Sequence, residues 1–182
     1  MPSSAASGAT RVARVSVVRS SVQSAFAARL RQTGRRAQTL VIASPWISVG
    51  TANSHLSNIV GVVRRYGIPT YVFSRSPATE SHRLALELLA DCPSAEIVLN
   101  QNLHAKVYAC LAPSPYGFAL LASANLTSHS DLMYEVGLMV LATGGGEAIV
   151  KELASFGLDY LRTRPESIVL KRLSTRRIRN GP

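Results

Sequence analysis

The chain has 182 residues, 47% of them apolar and 16% charged, which is enough core-forming material for one folded domain and too little charge for disorder throughout. Twenty Lys and Arg against ten Asp and Glu give a net charge of +10 and a pI near 10.4, suiting a partner that carries negative charge, whether nucleic acid, anionic lipid or a phosphorylated small molecule. The longest apolar run, Val136 to Thr143, is far short of the roughly 18 residues that span a bilayer, and Cys92 and Cys110 stand without CxxC or ligand-spaced His, so a transmembrane segment, a disulfide framework and a zinc site are excluded.

The charge is unevenly spread. Residues 1–79 hold ten Arg and no acid, residues 80–161 carry a net −6, and residues 162–182 carry +6. Of the 20 bases 17 are Arg, a preference that suits planar recognition of phosphate and that a GC-rich genome also produces. The first 38 residues are rich in Ser, Ala and Arg and free of acids. Transit peptides, phosphate-touching arms and plain solvated leaders share that composition, and the solvated leader is the commonest of the three. Two lone cysteines fit a reducing compartment, so a cytoplasmic protein is expected.

In chain order, residues 1–14 carry no structural signal. A helix is predicted over Val22 to Leu30, where apolar residues recur at near-helical spacing behind Ser20 or Ser21 as cap. From residue 39 short apolar runs alternate with amphipathic stretches: Thr39–Ala43 as a buried strand, Ser54–Tyr66 as a helix, Ile68–Phe73 as a strand, Thr79–Ala90 as a helix and Ala95–Leu99 as a strand. This βαβαβ rhythm predicts an α/β domain with a mixed, largely parallel central sheet flanked by helices on both faces. His55, near one helix start, and His82, inside another, are expected to be exposed or capping residues. Near the end, Ile168 to Leu173 suits a last strand before the basic run Arg176-Arg177-Ile178-Arg179.

The middle of the chain changes style. His104 to Leu111 and Gly117 to Ala122 predict two strands joined by the turn Pro113-Ser114-Pro115-Tyr116. Alternation puts His104, Lys106, Tyr108 and Cys110 on one side and Ala105, Val107, Ala109 and Leu111 on the other, which is expected to face the core. A hairpin symmetric about Ser114-Pro115 sets Lys106 opposite Ser123 and His104 opposite Asn125, with side chains roughly 5 Å apart, and a slip of one residue is the alternative. An imidazole, an ammonium, a hydroxyl and a carboxamide then converge at the open end, all of them groups that bind phosphate. Ten residues on, Glu135 lies in the apolar stretch Tyr134 to Leu141, where a carboxylate needs a partner, and an imidazole N–H would serve.

The residues His104-Ala105-Lys106, then Ala122-Ser123-Ala124-Asn125, then Glu135 resemble the motif of the phospholipase D superfamily, HxK with an Asp after four further residues, GSxN and a downstream acid. Leu40 to Ser48 is similar to the first strand and following loop of such domains, so the resemblance spans about residues 20–162. It implies a phospholipase D-like catalytic domain over 20–162, with 1–19 as a flexible basic segment and 163–182 as a basic extension. Two positions depart from the motif: Leu111 stands where the Asp is expected and Ala122 where the Gly is. Carried over to this chain, the resemblance implies that His104 attacks phosphorus to give a phosphohistidine, that Lys106, Ser123 and Asn125 hold the non-bridging oxygens, and that Glu135 orients His104. It implies no metal and no cofactor. A leaving alkoxide needs a proton from a second such histidine, and the chain has one HxK, so a two-fold homodimer sharing the site is expected.

Around that set, Ser44 and Trp46 follow the first strand, where loops of an open α/β sheet reach the ligand, and His129 follows the SxN loop. All three are candidate substrate-binding residues, with core packing as the plainer role for Trp46 and base stacking as the other. The leading expectation is a phosphodiesterase that hydrolyses nucleic acid, DNA or RNA, with partner proteins of a restriction or phage-defence system as one possible setting. The alternatives are a phospholipase or phosphatidyl-transferring enzyme and a non-catalytic nucleic-acid-binding module.

Overall fold

The computed structural model describes residues 12–19, 21–50, 55–127 and 134–172. His129, the first eleven residues of the expected flexible segment and the basic run after residue 172 lie outside them. The strands are β1 (Val15–Arg19), β2 (Thr39–Ala43), β3 (Thr70–Ser74), β4 (Ala95–Leu99), β5 (Val107–Leu111), β6 (Phe118–Ala122), β7 (Val136–Leu141) and β8 (Ile168–Lys171). They form one sheet in the order β1-β7-β6-β5-β2-β3-β4-β8. The helices are α1 (Val22–Thr33), α2 (His55–Tyr66), α3 (Glu80–Ala90) and α4 (Gly146–Ser155), the last running into a π-helical turn over Phe156–Leu161.

The mixed α/β sheet with helices on both faces is the architecture that the sequence predicts. Its parallel share is narrower than the rhythm suggests. Only β2–β3 and β3–β4, the pairs joined by helical crossovers, are parallel, and the other five pairings are antiparallel. For the β5–β6 pair the physical reason is connection length: the six residues between Leu111 and Phe118 are too few for a crossover helix. Two edge strands come from the segments expected to flank the domain. Val15–Arg19 is ordered against β7, which corrects the flexible reading for that part of 1–19, and Ile168–Lys171 pairs with β4.

Two cores sandwich the sheet. One packs α1, α2 and α3 on Leu40, Ile42, Val72, Ile97, Tyr108 and Phe118. The other packs α4 and the π-turn on Val41, Ala43, Phe73, Val98, Val107 and Ala109. The expectation of a single core-facing side for the hairpin is therefore corrected, because Tyr108 and Cys110 are as buried as Val107 and Ala109. Burial between two helical layers also pushes the Cys110 thiol up to about 12. Gly157 lets the π-turn touch the sheet. A Cβ there would lie 2.6 Å from Val41 Cγ1 and 2.8 Å from Phe73 Cε2.

The hairpin register differs by one residue from the symmetric pairing. Val107 faces Leu121 and Cys110 faces Phe118, so the centre of the turn is Ser114, and Tyr116 N donates to Pro113 O at 2.8 Å to close it. Lys106 accordingly meets Ala122, whose N donates to Lys106 O at 3.0 Å. Ser123, one step past β6, still donates its N to Val136 O at 2.9 Å.

Candidate active site

Every site residue in the described segments lies at one end of the sheet. Ser44 and Trp46 follow β2, His104 and Lys106 precede β5, Ser123 and Asn125 follow β6, and Glu135 precedes β7. Because β2 and β6 run antiparallel to β5 and β7, ends and beginnings of neighbouring strands meet there. That is the crevice beyond the carboxyl ends of β2 and β3 where open α/β sheets bind ligands.

The His104 loop is pinned from below. Asn100 is buried, donates its Nδ2 to Ser167 Oγ at 2.9 Å and accepts Asn102 N on Oδ1 at 2.9 Å, an Asx turn that redirects the chain from β4. Arg75, just past β3, donates Nε to Leu103 O at 2.8 Å. His104 itself is exposed, and its ring makes no hydrogen bond among the described residues, while Lys106 Nζ donates to His104 O at 3.1 Å. The imidazole is thus accessible on a braced backbone.

The SxN loop is held by three buried groups. Tyr108 OH donates to Ala124 O at 2.8 Å, Gln23 Nε2 on α1 donates to Asn125 O at 2.7 Å, and Ser44 Oγ accepts Leu126 N at 3.0 Å. Burial raises the Tyr108 hydroxyl above its ordinary range, so it remains a donor. The Asn125 carboxamide makes no hydrogen bond of its own among the described residues, its Oδ1 being enclosed. Ser123 donates Oγ to Glu135 Oε2 and accepts Val136 N at 3.1 Å.

Three expectations are corrected by this geometry. Glu135 is bound to the Ser123 hydroxyl, with no hydrogen bond to the His104 ring among the described residues, because the β6–β7 register sets Ser123 directly against Val136, the neighbour of Glu135. Ser44 is fully buried, its hydroxyl spent on Trp46 O at 2.8 Å and on Leu126 N. It joins the two loops and has no donor left for a substrate. His82 is likewise no exposed or capping residue. It is buried with Nε2 3.0 Å from Ser74 Oγ, and the α3 cap is Thr79. Leu111 ends β5, about 16 Å along the strand from Lys106. Gln23 and Arg75 escaped the sequence reading because they carry no local motif. Only their long-range bonds mark them.

No protein-family model matches the chain, and no curated protein matches it in sequence. Solved structures match it in fold. One is Nuc from Salmonella typhimurium, a phospholipase D family member, with TM-score 0.57 at 12% identity over 88% of this chain and 100% of that one. NucT from Helicobacter pylori gives TM-score 0.55 at 16% identity over 78% and 91%. Phosphatidylserine synthase from Haemophilus influenzae gives 0.57 at 14% over 90% of this chain and 41% of its own. The strand order, the two helical layers and these likenesses together show that the chain has the phospholipase D fold.

Proposed function

We propose that the chain is a metal-independent phosphodiesterase that hydrolyses nucleic acid at a site shared by two copies. The observation that carries this reading is the gathering of His104, Lys106, Ser123, Asn125 and Glu135 at one end of the sheet, with an accessible imidazole among donors suited to phosphate. His104 attacks phosphorus as the P–O bond to the leaving group breaks, giving a phosphohistidine. The leaving alkoxide takes its proton from the partner subunit's His104. Water then attacks phosphorus, gives a proton to that same histidine, and the P–N bond breaks to regenerate His104. Lys106 and Asn125 stabilise charge on the phosphoryl oxygens, and the Ser123–Glu135 pair fixes the start of β7 beside them.

An apolar sheet face supports the second copy. Val15, Val17, Leu121, Val136 and Leu138 are 44–56% exposed, and the register sets Val17 beside Leu138 and Leu138 beside Leu121. Leu121 and Val136 lie next to Ser123 and Glu135, so a copy docked there reaches the site. A contiguous exposed apolar patch of this kind suits an interface. The net charge of +10 suits a phosphate backbone as substrate.

The test is hydrolysis of single- and double-stranded DNA, RNA and a chromogenic phosphodiester in excess EDTA, beside the variant His104→Ala. Nucleic-acid cleavage by the native protein alone, falling on dilution, is the expected result. Retained cleavage by His104→Ala overturns the mechanism, and turnover of phosphatidyl lipid without cleavage of nucleic acid overturns the substrate class.

A further inference from the structure

The same end of the sheet carries a cavity that the phosphoryl chemistry leaves unused. Its volume is about 360 Å³ and its walls include Trp46, Ser48, Thr79, Ser81, His82 and Thr127. The chain fixes its nearness to the site. Ile47 bridges Leu126, and Ser48 N donates to Leu126 O at 3.0 Å, so the cavity runs along the segment that leaves Asn125.

Its chemistry is selective. Trp46 is 37% exposed and meets His82 edge to face, with ring centres 5.6 Å apart. The single proton of Ser74 Oγ goes to the carbonyls of Ser44 and Pro45, at 2.9 and 3.2 Å. His82 Nε2 is therefore the N–H that donates to Ser74, and burial keeps the ring neutral by lowering its pKa. The wall is thus aromatic, hydroxylated and uncharged. At its border stands Arg75, with its guanidinium carbon 5.8 Å from the Trp46 ring centre and its Nε on the carbonyl just before His104. Among the described residues no carboxylate pairs with Arg75, which leaves its two Nη groups for a ligand.

A neutral aromatic slot beside one cation matches a nucleotide: a flat base for the indole and a phosphate for the guanidinium. A free phosphate would leave the indole unused. The volume falls within the range of about 300–1,000 Å³ for small-ligand pockets, and a base inside a duplex has both faces already stacked. We propose that this cavity takes the unpaired base of a nucleotide adjoining the scissile phosphate, with Trp46 against the base and Arg75 on its phosphate, which makes single-stranded nucleic acid the substrate class. This rests on the nucleic-acid reading above and narrows it.

Trp46 is the only tryptophan in the chain, so its emission reports the cavity directly. The His104→Ala protein, which binds without turnover, is titrated with oligothymidylate, with an abasic strand of equal length and with duplex. Anisotropy of the labelled strands measures binding in parallel. Oligothymidylate is expected to quench and shift the emission, and the other two to leave it unchanged when bound. Trp46→Leu should weaken oligothymidylate by about 5- to 150-fold, the span of one base–aromatic stack, and leave the abasic strand as it was. Emission unmoved by bound oligothymidylate, or moved equally by the abasic strand, overturns this proposal alone. Failure to bind any nucleic acid overturns it together with the reading on which it rests.

Discussion

Replacing Ser44 by Ala removes one oxygen from the junction between the loop after β2 and the SxN loop. That oxygen donates to Trp46 O at 2.8 Å and accepts Leu126 N at 3.0 Å, on a residue with no exposed surface. Alanine keeps the backbone and nearly the shape, so the cost is that of two buried main-chain groups losing their partner. Each costs about 1–3 kcal/mol, and partial relaxation brings the expected sum to about 2–4 kcal/mol. In a domain of this size that lowers the melting temperature by roughly 5–15 °C. Urea unfolding followed by circular dichroism measures the change. Catalysis should fall as well, because Leu126 adjoins Asn125 and Trp46 walls the cavity. A shift under about 0.5 kcal/mol would refute the argument that Ser44 is the junction.

Three further outcomes follow from the same packing. Gln23→Leu removes the donor to Asn125 O at 2.7 Å; a lost net hydrogen bond of about 1 kcal/mol should lower kcat about fivefold, with far-ultraviolet dichroism unchanged, and unaltered kcat would sever α1 from the site. Gly157→Ala drives a Cβ to within 2.6 Å of Val41 Cγ1 and 2.8 Å of Phe73 Cε2, an overpacking expected to cost about 1–3 kcal/mol in the same unfolding assay; native-like stability would mean that the π-turn stands off the sheet. The buried His82 resists protonation when folded and takes a proton at about 6.5 when unfolded, so its contribution is whole above that pH and is lost progressively below it. Unfolding midpoints from pH 5 to 8 should show the decline, His82→Gln should flatten it, and identical profiles would place the effect elsewhere.

Much of the fold was legible in one dimension because its signals are local. Thr39–Ala43 and Ala95–Leu99 emerge with the bounds that their largely apolar runs predict, since strands buried on both faces are mostly apolar, and the one buried acid among them, Glu96, is paired with Arg162. The helix expected over Thr79–Ala90 is equally local, Thr79 itself being the cap of Glu80–Ala90. The edge strand Val15–Arg19 escaped notice because half its length is exposed aliphatic surface in a Ser- and Arg-rich stretch, and only β7 gives it a partner. The helix α4 and its π-turn escaped because a Gly-rich entry hid their start.

For the site, the chemical groups and their spacing are written in the linear chain: His104 two residues before Lys106, Ser123 two before Asn125, and an acid shortly before an apolar strand. Spacing along a strand says which residues share a face, yet it cannot say where a turn is centred. A shift of one residue exchanges every cross-strand neighbour. It takes the folded chain to bring Lys106 to Ala122 and Glu135 to Ser123, to bury Ser44 at a junction, and to set Gln23, Arg75 and Tyr108 against the loops. The reason is that each of these contacts joins residues 12 to 102 positions apart, where chain folding alone sets the distance.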